Sequence, residues 1–175
     1  MLEKDKCILT IDFYSAHFTA YQPDTSGNQQ FCRELPTTGD TIIVLDYLHP
    51  SLKEVPVEFR IIRDVTGQGQ YVKLKHVEAI ADIDRYTVFH QPPVIRSDGS
   101  YKIETDFTEK GAYIGIVSAG HPSNGMIYTA VFPFEVGLSR PDWLWPSIGL
   151  AALALGGFLW RRRRGRPAPT VGQPS

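Results

Sequence analysis

Between residues 6 and 137, apolar and polar residues alternate in short runs, and no stretch holds a convincing helical period. Cys7, Leu9, Ile11 and Phe13 alternate with more polar neighbours, the period-2 pattern of a strand that buries one face. Residues 41–48 (TIIVLDYL) form a nearly continuous apolar strand. Val55, Val57, Phe59 and Ile61 point one way while Glu58 and Arg60 point the other. Tyr101, Ile103, Thr105 and Phe107 alternate with Lys102, Glu104 and Asp106, and residues 113–118 (YIGIVS) follow across a short turn. Met126, Tyr128, Ala130, Phe132, Phe134 and Val136 make the last alternation, and Pro133 within it predicts an edge strand or a bulge. Clusters of Pro, Gly, Asn and Asp separate the runs. The pattern predicts an all-β fold, an Ig-like antiparallel β-sandwich over residues 1–138. Residues 71–90 could hold a strand or a short helix, and 71–80 and 84–90 are read as two further strands. Residues 66–70 are read as a loop, whose Gly67-Gln68-Gly69 lacks the third glycine and following helix of a phosphate cradle.

The pattern changes beyond residue 138. Residues 143–160 (WLWPSIGLAALALGGFLW) carry no charge and are followed by Arg161, Arg162, Arg163 and Arg164. Eighteen helical residues reach roughly 27 Å, close to the thickness of a thin bilayer core. Trp143, Trp145 and Trp160 stand at the two ends of the run, where indoles favour the headgroup level. Residues 139–160 are therefore expected to hold a short linker and one transmembrane α-helix, and residues 161–175 a basic, disordered tail. The arginines place the tail on the cytoplasmic side and residues 1–138 outside. The expected location is the bacterial inner membrane, single-pass, with the N-terminal domain in the periplasm and the C-terminus in the cytoplasm.

The formal net charge of −1 conceals this division. Residues 1–139 carry 12 Lys and Arg against 18 Asp and Glu, while the last fifteen residues carry five Arg and no acid. An acidic body excludes a nucleic-acid-binding fold, whose basic groups must be spread over the surface that tracks the backbone. Export raises a difficulty, because the amino terminus MLEKDKCILTIDFYSAHF has no apolar run of signal-peptide kind. A removed signal peptide, a misplaced start and a tail anchor would each account for it. The tail anchor would carry five arginines across the bilayer, so a removed signal peptide is the expectation. Cys7 and Cys32 are the two cysteines of the chain. In an oxidising compartment they are expected to form a disulfide. Two unrelated buried thiols, or a thiolate copper pair, are the alternatives.

Residues 92–118 (PPVIRSDGSYKIETDFTEKGAYIGIVS) combine Pro92-Pro93, an Asp98-Gly99 turn, a Tyr101-to-Ile103 strand and a corner of Phe107, Gly111 and Tyr113. This stretch resembles the second half of exported bacterial Ig-like domains of the YtkA-like, FixH-like and CopC-like kind. The resemblance implies an Ig-like fold and a link to metal handling or respiratory-complex assembly. The histidine pattern by which CopC-like members bind copper is not matched, since no histidine lies in the first sixteen residues.

The five histidines are His17, His49, His76, His90 and His121, and none stands in a unit with metal-ligand spacing. Loops of a sandwich gather distant residues, so His121 and Met126, with His17 and His90, are the candidate soft-metal ligands, suited to copper. No nucleophile motif is present, and neither an enzyme nor a cofactor is expected, with copper the alternative. Phe18, Tyr21, Tyr86, Phe89, Phe132 and Phe134 are candidates for a partner surface, although alternation directs Phe132 and Phe134 inward. A lone sandwich on one helix suits a non-enzymatic accessory or assembly subunit of an integral membrane protein complex, with the helix in the lipid bilayer and no nucleic-acid partner. A membrane-tethered copper-binding or copper-delivery protein is the second expectation.

Overall fold

The computed structural model describes residues 7–138, which lie within a compact unit spanning Met1–Ser139. The strands are β1 (Ile8–Ile11), β2 (Tyr14–Tyr21), β3 (Glu34–Leu35), β4 (Gly39–Tyr47), β5 (Val57–Arg63), β6 (Thr87–Val94), β7 (Ser100–Phe107), β8 (Gly111–Gly120) and β9 (Ile127–Val136). Two short helices, α1 (Pro23–Ser26) and α2 (Leu74–Glu78), interrupt them. One sheet has the order β1-β2-β4-β7 and the other β3-β9-β8-β5-β6. All pairings are antiparallel except the short β3–β9 ladder.

Period-2 side chains from both sheets meet in one core. Tyr14, Ala16, Phe18 and Ala20 of β2 and Ile43 and Leu45 of β4 face Val57, Phe59 and Ile61 of β5 and Phe132 and Phe134 of β9. The inward faces of β4, β5, β7 and β9 follow the alternation in the sequence. Pro133 also falls where expected. The odd-numbered N–H groups at the end of β9 donate toward β3, from Glu135 to the Arg33 carbonyl and from Gly137 to the Leu35 carbonyl. Pro133 is the next odd residue, beyond the end of β3, so its missing N–H breaks no ladder.

Two differences from the sequence reading have physical causes. The first alternation does not run through Phe13, because the chain reverses at Asp12 and Phe13 and returns as β2, with Ile11 opposite Tyr14. Asp12 takes a positive φ of 55° in this two-residue turn. Phe13 is thereby placed on the outside, 44% exposed. The second difference concerns residues 71–80, which hold a 3₁₀ turn and α2 rather than a strand, while the strand expected over 84–90 starts only at Thr87. Ile62, Ile114 and Ile116 project from the outer face of the five-stranded sheet, and Val72 and Val77 of this segment cover them in a second apolar cluster. Side chains spaced to cover a sheet from above need no period of two. The expected transmembrane helix, with Trp143, Trp145, Trp160 and Arg161 to Arg164, lies outside the described residues. Among the described residues no helix is long and apolar enough to cross a membrane.

Four tyrosines report on the packing. Tyr113, at the start of β8, donates its hydroxyl to the Glu109 carbonyl at 2.7 Å, the geometry of the corner seen in Ig-like sandwiches. Tyr14 bolts one sheet to the other by donating to the Gly120 carbonyl at 2.9 Å. Burial pushes the phenols of Tyr14, Tyr47, Tyr101 and Tyr113 above their ordinary value of 10.0. A phenol raised in the folded state contributes stability that is complete below pH 10.0 and is lost as pH rises toward the folded value. The domain is therefore expected to unfold cooperatively in alkali above that pH, with these phenols ionising in the same transition. Phenolate absorbance and circular dichroism followed together should give coincident curves. Phenolate absorbance completed before any loss of β signal would show that the phenols are accessible.

Candidate functional site

The β1–β2 turn, the link after β4 and the β8–β9 hairpin meet at one end of the sandwich, opposite the end where β9 finishes at Val136. The strands deliver them there by register: Leu48 and His49 N–H groups both donate to the Ser15 carbonyl, at 3.0 and 3.1 Å. Phe13 stands at the centre. Its ring lies 5.8 Å from His49, 5.5 Å from His121 and 5.5 Å from Tyr128, all edge-on. Leu48, after β4, and Met126 and Ile127, at the start of β9, are exposed, Ile127 at 72%.

The two histidines occupy the same local motif. His-Pro-Ser occurs at 49–51 and again at 121–123. In each, the imidazole Nδ1 accepts the backbone N–H of the serine two residues on, at 3.4 Å for Ser51 and 3.1 Å for Ser123. A neutral ring whose Nδ1 accepts carries its proton on Nε2, so both rings present an N–H donor at that atom. The repeated tripeptide is the signal by which the sequence could have linked these two positions. Phe13 carried no such signal, because its exposure depends on the turn.

The candidate metal ligands separate into three places. His121 and Met126 share the β8–β9 hairpin, where the His121 N–H donates to the Met126 carbonyl at 2.7 Å. His17 lies on β2 in register with Asp46, its Nδ1 3.1 Å from the Thr19 hydroxyl. His90 lies on β6 beside Glu58 at 2.8 Å, within a cluster in which Arg60 also binds Asp84 and the Thr87 hydroxyl. The structure thus brings together His121 and Met126 but not His17 or His90. Among the described residues no three His, Cys, Asp or Glu side chains are grouped to hold a metal ion.

Cys7 and Cys32 form a disulfide, with Cα atoms 5.4 Å apart, which ties the start of β1 to the segment that leads into β3. Beside it lies a cavity of about 370 Å³ lined by Arg33, Glu34, Gln70, Phe134 and Glu135. These side chains include no nucleophile with an adjacent base. Of the candidate partner aromatics, Phe18, Phe132 and Phe134 are core residues, while Tyr21, Tyr86 and Phe89 are half-buried.

No model of a known protein family and no curated protein matches the chain. Among solved structures, it is similar to the crystal structure of the PmoD soluble domain from Methylocystis sp. (Rockwell), at 34% identity and a TM-score of 0.63. The match covers 75% of this chain and 98% of that one.

Proposed function

The chain belongs to the PmoD family, and from that premise we propose that it is an exported, membrane-anchored and non-enzymatic accessory or assembly subunit of an integral membrane protein complex. The observation that carries the reading is the end-to-end match to a domain solved as a soluble domain, which leaves a quarter of this chain uncovered. The uncharged run 143–160 and its four arginines begin a few residues after β9 and would provide the anchor, with the sandwich in the periplasm. The disulfide supports export, because such bonds persist in oxidising compartments. Anchoring in the plane of a partner raises their effective concentration, so a sandwich of this size can act through weak contacts.

The test is extraction of the full chain from its native membrane in mild detergent. A fixed stoichiometric set of integral membrane subunits should accompany it through two chromatographic steps. A chain that elutes alone would overturn the reading. The second reading, copper binding, draws support from the shared hairpin of His121 and Met126. Copper analysis of the same preparation checks it: near-zero copper after loading, or copper unchanged in both His121→Ala and Met126→Ala, removes it.

A further inference from the structure

We infer that Asn124, in the β8–β9 hairpin, is a self-modification site. Its side-chain amide is lost through a cyclic imide closed by the backbone nitrogen of Gly125, which leaves aspartate and isoaspartate. The inference concerns the chemistry of this chain alone and is independent of the accessory-subunit reading. Residues 121–126 read HPSNGM, and the chain has two asparagines, Asn28 and Asn124. Asn124 is followed by glycine, whereas Asn28 is followed by Gln29. Ring closure brings the next backbone nitrogen onto the asparagine Cγ, and a side chain on that next residue obstructs the approach. Gly125 has no Cβ, and the place a Cβ would take has nothing within 4 Å of it. Asn124 and Gly125 are both exposed, so solvent can take the proton from the attacking nitrogen.

The hairpin also holds the amide carbonyl for this attack. Asn124 Oδ1 accepts the Met126 N–H at 3.0 Å. Negative charge develops on this oxygen as nitrogen adds to Cγ, and a backbone N–H already placed on it stabilises that charge. Two further bonds fix the turn: the His121 N–H donates to the Met126 carbonyl at 2.7 Å, and the Ser123 N–H donates to His121 Nδ1 at 3.1 Å. The steps balance with water as the one co-reactant. The Gly125 nitrogen loses its proton to solvent and bonds Cγ. The Cγ–Nδ2 bond then breaks, and the side-chain nitrogen leaves as ammonia with a proton from solvent. Water adds to one imide carbonyl. Cleavage between Cγ and the Gly125 nitrogen gives aspartate, and cleavage at the main-chain carbonyl gives isoaspartate. Either product adds a negative charge to the turn. Isoaspartate also adds one carbon to the backbone between His121 and Met126, the two residues whose hydrogen bond closes the hairpin.

The experiment incubates the full chain, in mild detergent, in warm and mildly alkaline buffer and follows its tryptic peptides over several weeks. Peptide 111–140 should gain about 1 Da at residue 124, with isoaspartate detected there and ammonia released in equal amount. Peptide 7–33, which holds Asn28, should react more slowly by about tenfold or more. The rate at Asn124 should rise with pH, because the attacking nitrogen must lose its proton. Gly125→Ala, which puts a Cβ beside that nitrogen, should slow the gain by about tenfold or more. Asn124→Gln, whose ring would need one more atom, should abolish it, and this comparison holds even if Gly125→Ala folds poorly. A constant mass of peptide 111–140 would overturn the inference, as would an equal rate at Asn28 or a gain that persists in Asn124→Gln. Slower reaction in the folded chain than in a free peptide of residues 119–128 would overturn the part assigned to the Met126 N–H.

Discussion

Gly115→Val is expected to destabilise the sandwich severely. Gly115 sits in β8 directly opposite Phe132 of β9, and the phenyl ring lies over the glycine in the space a side chain would take. A Cβ at position 115 would stand 2.1 Å from the ring, well inside the ~3.5 Å at which carbon atoms make favourable contact. The ring has nowhere to retreat, because it packs against Phe18 at 4.6 Å, Phe134 at 6.1 Å and Phe59 at 6.2 Å between ring centroids. Overpacking a tight core costs about 1–3 kcal/mol and occasionally more. Here valine also forces out an aromatic side chain whose own removal costs about 3–5 kcal/mol. Against a typical total stability of about 5–15 kcal/mol, a loss of up to about 8 kcal/mol is a large share of the whole. Gly115→Ala is the milder form and should lower the urea midpoint sharply. Combining it with Phe132→Leu should cost much less than the two single losses added together. Additive losses would show that the ring over Gly115 is not the cause.

The second large effect concerns the covalent tie. Reduction of Cys7–Cys32, or replacement of both by serine, is expected to destabilise the domain by roughly 3 kcal/mol, from the unfolded-state entropy of a loop with a 25-residue separation. The bridge closes the route from β1, past the β2 hairpin and α1, to the short β3 that completes the edge of the other sheet. The Phe31 backbone pairs with Ala20 beside it, at 2.7 and 2.9 Å. Loss of the bridge should therefore loosen β3 and the adjoining edge of β9 before the central strands. Urea unfolding of the wild-type chain with and without reductant, next to the double serine variant, checks this. Reductant should shift the wild-type midpoint to that of the variant and leave the variant unchanged. A wild-type midpoint indifferent to reductant would contradict the bridge as a stabilising element.

Much of the fold was legible because the sheets obey a local rule. Ile43 and Leu45, Val57 and Phe59, and Phe132 and Phe134 alternate with polar or outward residues, and each pair is in the core. The sequence was also a guide to Pro133 at an open edge and to the pairing of the two cysteines. It was less informative where one residue type serves two surfaces. Ile62, Ile114 and Ile116 look like core residues in sequence, and they are buried, but under the 64–86 segment rather than between the sheets. YVKLKHVEAI is compatible with a strand or a short helix, and nothing in it signals that it crosses a sheet face.

The candidate site shows the same division. The charge pattern by itself determined that the chain has an acidic body and an arginine-rich end, and alternation determined which faces of most strands point inward. Both are properties of neighbours in sequence. Only the tertiary structure decided that Phe13 stands outside while Ile11 and Tyr14 are fully buried, since a two-residue turn reverses the phase of the alternation. It also decided that residues 13, 49 and 121 share one end while His17 and His90 lie elsewhere. The reason is that strand register sets which loops converge, and register depends on pairing partners far apart in the chain rather than on the residues within a loop.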